Sequence, residues 1–158
     1  MIDAHYYETL PKKRMAVGAL FLDEQKNILL VKPTYRPYWL LPGGVVEENE
    51  SPRQACRREV KEELNLDVPV QALLCIEYLP QEDEKNEYVQ FVFYGGILSE
   101  TYIQHIVLPT AELSEYRFLP LEQALMLLST KLAKRMPYCL QALEKQTIVY
   151  LESELEAS

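Results

Sequence analysis

Residues 43 to 66, GGVVEENESPRQACRREVKEELNL, carry both ends of a helix together with the loop that leads into it, and constrain the fold more than any other stretch of the chain. Ser51 is a good N-cap, Pro52 suits the first helical position, and Gln54 completes an S-x-x-Q capping box. The helix is expected to run to about Leu64, and Asn65 can take the left-handed conformation that ends it. At about 100° per residue, Cys56, Val60 and Leu64 share an apolar face. Glu59, Glu62 and Glu63 form one stripe beside that face.

This stripe is electrostatically poor. Glu59 repels Glu62 and Glu63 across one turn, each pair costing a few tenths of a kcal/mol. Glu62 and Glu63 also sit in the last turn, where the helix dipole favours cations. Pairing with Arg58 and Lys61 on a solvated face is one reading of the stripe. A divalent cation that neutralises it is the other, and hard oxygen ligands of this kind suit Mg2+ or Mn2+. Gly43 and Gly44 lie just upstream and let backbone approach a ligand or ion closely, with Glu47, Glu48 and Glu50 around them.

The segment closely resembles the Nudix box, G-x5-E-x7-R-E-U-x-E-E-x-G-U, where U is a bulky aliphatic residue. Gly44, Glu50, Arg58, Glu59, Val60, Glu62, Glu63 and Leu66 fit it, and Asn65 replaces the last glycine. Asn49 likewise stands where many members carry a non-obligatory glycine. WLLPGG before the box and ELSEYRFLPLEQA after it resemble further family segments, so the likeness covers roughly residues 14 to 128. The remainder, about 129–158 and including TIVYLE, is expected to be a helical extension with a packing or homodimer role, within a single domain over 1–158.

The resemblance implies an α/β/α sandwich with a mixed sheet and hydrolysis of a diphosphate linkage in a nucleoside diphosphate joined to another group. By position it implies metal ligation by Glu59, Glu62 and Glu63 with the Gly43 carbonyl, and a supporting role for Arg58 and Glu50 around those ligands. A later loop glutamate often joins the metal or acts as base in the family. Glu112, six residues before Phe118, is the first candidate and Glu115 the second. Tyr35, Arg36, Tyr38 and Trp39 precede the box. The tyrosines and Trp39 could stack a base, and Arg36 or Lys32 could meet a phosphate; packing in the core is the favoured alternative for Trp39. Tyr78 and Tyr88 flank the acidic loop and are weaker candidates to line the pocket. A noncatalytic nucleotide or nucleotide-sugar sensor using the same pocket, and an isomerase of isoprenoid diphosphates on the same fold, are the competing readings.

Elsewhere the pattern is plain. MAVGALFL (15–22) and ILLV (28–31) read as strands around a turn, about 70–80 and 88–98 as two more flanking an acidic loop, and Gly95 and Gly96 as a bulge. LEQALMLLS and about 131–145 read as amphipathic helices, with Pro137 as a break. The 158 residues carry a formal charge of −8, concentrated in the 81–87 loop, the box and the C-terminal tail, where Glu152, Glu154 and Glu156 lie. An acidic chain without a basic stripe is not expected to bind nucleic acid polymers or anionic membranes, because that affinity comes mainly from Lys and Arg. No apolar run reaches the ~18 residues of a membrane span, and the N-terminus lacks a signal peptide's apolar stretch. Cys56, Cys75 and Cys139 are odd in number and widely spaced. Reduced thiols and a cytoplasmic location are expected.

Overall fold

The computed structural model describes residues 3–153. After a short helix α1 (Ala4–Thr9) come strands β1 (Arg14–Leu22), β2 (Ile28–Pro33) and β3 (Gly43–Val45), then helix α2 (Pro52–Leu64). Strands β4 (Leu73–Leu79) and β5 (Tyr88–Ile97), the single turn α3 (Glu100–Ile103) and β6 (Leu113–Leu119) follow. Helices α4 (Leu121–Leu127) and α5 (Thr130–Lys145) and strand β7 (Val149–Glu152) close the described chain.

The strands form one mixed sheet in the order β6-β2-β1-β5-β4-β7, with β3 also on β1. β1 runs parallel to β5, and its other edge is shared: β3 pairs with Ala16 to Gly18, and β2 meets Leu22. Strand periodicity sends alternate side chains to opposite faces. Val17, Ala19 and Phe21 join Ala55, Cys56, Val60 and Leu64 of α2 in one core. Leu20, Leu22, Ile28 and Leu30 pack with Met136, Cys139 and Ala142 of α5 in the other. The α/β/α sandwich expected of the chain is the one observed, with α2 on one face and α4 and α5 on the other.

The local signals of α2 are realised. Ser51 and Gln54 form both halves of the capping box, and Asn65 sits at φ 59°, ψ 29° with its N–H donated to the Lys61 carbonyl. Asn49 also lies in the left-handed region, at φ 60°. The parallel β1–β5 register skips a residue at Gly95, the predicted bulge. All three cysteines are buried and free.

Two expectations for the C-terminal region fail. Pro137 does not break the second amphipathic stretch but lies within α5, on its exposed side. The apolar face of that helix, buried through Leu132, Met136, Cys139 and Ala142, outweighs the one backbone hydrogen bond that proline removes. TIVYLE is not a helix either: Val149–Glu152 form the edge strand β7, parallel to β4. The free edge of β4 supplies backbone partners that an isolated reading of the tail could not include. Glu154 and Glu156 lie outside the described residues.

Candidate functional site

The turn from β3 into α2 is held by one guanidinium. Arg58 grips Glu50 with two hydrogen bonds, Nε to Oε2 at 2.7 Å and Nη2 to Oε1 at 2.9 Å. Its Nη1 donates to Glu59 at 2.8 Å and to Glu62 at 3.3 Å, and Nη2 reaches the Val45 carbonyl at 3.1 Å. A planar fork of donors suits this task, which a lysine ammonium could not perform. The Arg58 bonds hold the Glu50 carboxyl below the usual carboxylate range.

Beside this network the carboxylates are in excess. Burial lifts Glu63 to about 8, against a hydrogen bond of 3.0 Å from the Gly43 N–H, and the nearby charges of Glu59, Glu112 and Glu62 add to the rise. Burial also raises Glu59, against its contact with Arg58, while Glu62 stays largely exposed. Glu112, from the loop before β6, is exposed yet close enough for its charge to act on both Glu59 and Glu63. Glu115 is turned away into a pair with Arg117 at 2.6 Å.

Both glycines are required by close approach. A Cβ on Gly43 would stand 2.0 Å from the Val17 carbonyl oxygen, and one on Gly44 would stand 2.5 Å from the Glu59 carboxylate. Main chain therefore lies directly against the carboxylates, as a site for a small cation needs. The donor chemistry fits a hard divalent cation: oxygen ligands only, and a carboxyl at Glu63 whose charged form is disfavoured until positive charge meets it. Among the described residues, no three carboxylates already surround one point in metal-binding geometry. Glu59 meets Arg58 through Oε1 and Glu63 meets the Gly43 N–H through Oε2, which leaves the second oxygen of each carboxylate for a cation that Glu62 and Glu112 would share.

On the other side of the same glycine turn lies a cleft of about 690 Å³, whose lining includes Gly43, Gly44 and Val45. Tyr35, Arg36 and Tyr38 form part of its wall, and Arg36 lies over both tyrosine rings, at 5.5 and 5.9 Å. Trp39 does not join them. It is 6% exposed, packs in the core, and has Arg117 at 4.8 Å from its ring, so the core-packing reading of this residue is the observed one and it is not placed to stack a base. The cause is the bridge of Trp39 to Leu128, beyond α4, which draws the side chain inward. Lys32 is occupied with the Pro33 and Arg36 carbonyls. Tyr88 lines the cleft, whereas Tyr78 turns to Glu87.

Several cleft residues have no local sequence signature, among them Arg14, Gln90, Lys131 and Arg135. They converge from β1, β5 and α5, and only the strand register brings them together. Lys131 pairs with Glu82, and Arg135 is buried with Glu77. No helix among the described residues is long and apolar enough to cross a membrane.

The chain matches the NUDIX domain model over residues 12–143. It is 39% identical over 89 residues to the human 8-oxo-dGDP phosphatase, an alignment covering 52% of this chain and 26% of that protein. To the ADP-ribose pyrophosphatase of Methanocaldococcus jannaschii it is 35% identical over 80 residues, 49% of this chain and 47% of the other. The match thus spans between a quarter and a half of these two relatives. The MutT protein of Methanosarcina mazei Go1 shares the fold, with a TM-score of 0.69 at 24% identity over 87% of this chain and 99% of that one. Because the family model runs from just before β1 nearly to the end of α5, the protein belongs to the Nudix family.

Proposed function

We propose that this chain is a Nudix pyrophosphohydrolase that cleaves the diphosphate linkage of a nucleoside diphosphate joined to another group, using Mg2+, with Mn2+ as a substitute. The observation that supports this reading is the crowding of Glu59 and Glu63 against a glycine turn that also walls the cleft, with the charge of Glu112 acting on both. Relatives named as acting on 8-oxo-dGDP and on ADP-ribose agree with the substrate class without selecting a member of it.

Glu59, Glu62 and Glu63, with the Gly43 carbonyl and Glu112, would hold the cation. Such an ion supplies charge stabilisation for the oxygens of the attacked phosphate. Arg58 keeps Glu59 and Glu62 oriented, and Glu50 keeps Arg58 in place. Glu112, exposed at the edge of the carboxylate group, is the base that takes the proton of the attacking water. Water adds to phosphorus, the bridging P–O bond breaks, and the leaving phosphate carries the electron pair away. Arg36 and Tyr35 would hold the substrate on the cleft wall.

The test is hydrolysis of dNTPs, oxidised dNTPs, nucleotide sugars and dinucleoside polyphosphates with Mg2+ or Mn2+, following phosphate, pyrophosphate and nucleotide products. Release from none of them overturns the reading. Glu62→Gln is expected to lower kcat at least about 100-fold with the melting temperature unchanged, since the carboxylate is exposed and its loss leaves nothing buried unpaired. Excess chelator should abolish turnover.

A further inference from the structure

Along β1 and β5, the residues on the α5 face change in size. Towards the C-terminal ends Leu20 and Leu22 fill the core. Towards the N-terminal ends the facing pairs are Arg14 with Tyr88, Ala16 with Gln90 and Gly18 with Val92. The small side chains at positions 16 and 18 leave the floor of the cleft open, and Gln90 is the polar side chain set in that floor. A Cβ on Gly18 would sit 3.7 Å from the Gln90 Nε2 and from Leu41, so the amide is packed from the side and open from above. Its Nε2 donates to the Phe91 carbonyl at 3.2 Å, and no donor among the described residues reaches its Oε1. Two residues along the same face, the Tyr88 ring is backed by the Arg14 guanidinium at 4.5 Å.

A half-buried amide with one unused acceptor and one remaining N–H, beside an aromatic ring backed by an arginine and a floor kept open by Ala16 and Gly18, is a device for recognising a flat heterocycle by its edge. We infer that Gln90 is a specificity-determining residue: it reads the hydrogen-bonding edge of the nucleobase, with Oε1 accepting from a base N–H, while Tyr88 supports the ring. This rests on the proposed nucleotide-hydrolase reading and names the part of the substrate recognised away from the reacting phosphates. An amide in this place discriminates because a base lacking the matching donor leaves Oε1 desolvated and unpaired.

The experiment compares kcat/KM for the four dNTPs and 8-oxo-dGTP with that for an abasic deoxyribose triphosphate, in the wild type, Gln90→Leu and Gln90→Glu. In Gln90→Leu the ratio of best to worst base is expected to shrink at least about tenfold, with the abasic substrate unaffected. Gln90→Glu loses the bond to the Phe91 carbonyl along with the amide donor, so the order of preference among the bases is expected to change. Unchanged ratios in both folded variants overturn the inference, as does an equal loss on the abasic substrate. If the leucine variant does not fold, Gln90→Met carries the same comparison. Should no nucleotide be hydrolysed, the functional reading falls separately, and calorimetric binding of α,β-methylene nucleotides decides on Gln90. Base-dependent affinities that level out in Gln90→Leu uphold its role, and affinities equal across bases in the wild type overturn it.

Discussion

The two faces of the sheet handle charge in opposite ways. On the α2 face one arginine, Arg58, stands among Glu47, Glu50, Glu59 and Glu62, with Glu63 beside them, and negative charge is left over. On the α5 face Arg135 and Glu77 are both buried and matched one to one, with the Ser153 hydroxyl donating the remaining bond to Glu77 at 2.7 Å. The matched pair has no charge to offer a ligand and serves to hold α5 on β4. The unmatched group carries electrostatic stress that folding alone does not explain, and this contrast separates a structural ion pair from a site. The contrast also runs in sequence distance: the Arg58 partners lie within 13 residues, whereas Glu77 is 58 residues from Arg135 and 76 from Ser153.

Breaking the matched pair should have the largest effect on stability. Arg135→Ala leaves Glu77 charged and buried without its cation, and a loss of about 3–5 kcal/mol is expected in urea unfolding. A loss under 1 kcal/mol would mean the pair is not a fixed part of the core. The unmatched side should respond to pH instead. Glu63 binds its proton more tightly folded, at about 8, than unfolded, at about 4.5, so the proton stabilises the fold. In excess chelator, the Glu63 contribution to stability should therefore be fully present below about pH 4.5 and be lost as pH rises towards 8, by up to about 1.4 kcal/mol per unit. Glu63→Gln should flatten that part of the profile, and saturating Mg2+ should flatten it in the wild type.

Gly44→Ala sharpens the comparison further, because its added carbon displaces the Glu59 carboxylate rather than the main chain. Cation affinity measured by titration should drop about 10–100-fold with little change in melting temperature. The smallest effect is expected at the position where this chain departs from the family pattern. Asn65 already sits in the left-handed region, and Asn65→Gly should raise stability by no more than about 1 kcal/mol, with activity unaltered.

What could be read from the sequence is what neighbouring residues decide between themselves. The capping box, the length of α2, its left-handed end at Asn65 and the stripe of Glu59, Glu62 and Glu63 all follow from interactions within a turn or two of helix. Glu112 was legible only through the family resemblance, and its approach to Glu59 and Glu63 depends on the connection into β6, about fifty residues along the chain. The position of Trp39 was beyond local reasoning, since an aromatic residue in a loop can stack a ligand or fill a core, and its bridge to Leu128 chose the core. Pro137 and TIVYLE were misread for the same reason: buried area and an open strand edge, both supplied by distant segments, outweighed local propensity. The sequence by itself thus determined the family and the carboxylate helix, because their determinants are adjacent in the chain. Tertiary structure alone decided the cleft, where register between parallel β1 and β5 sets Gln90 and Tyr88 beside residues more than seventy positions away.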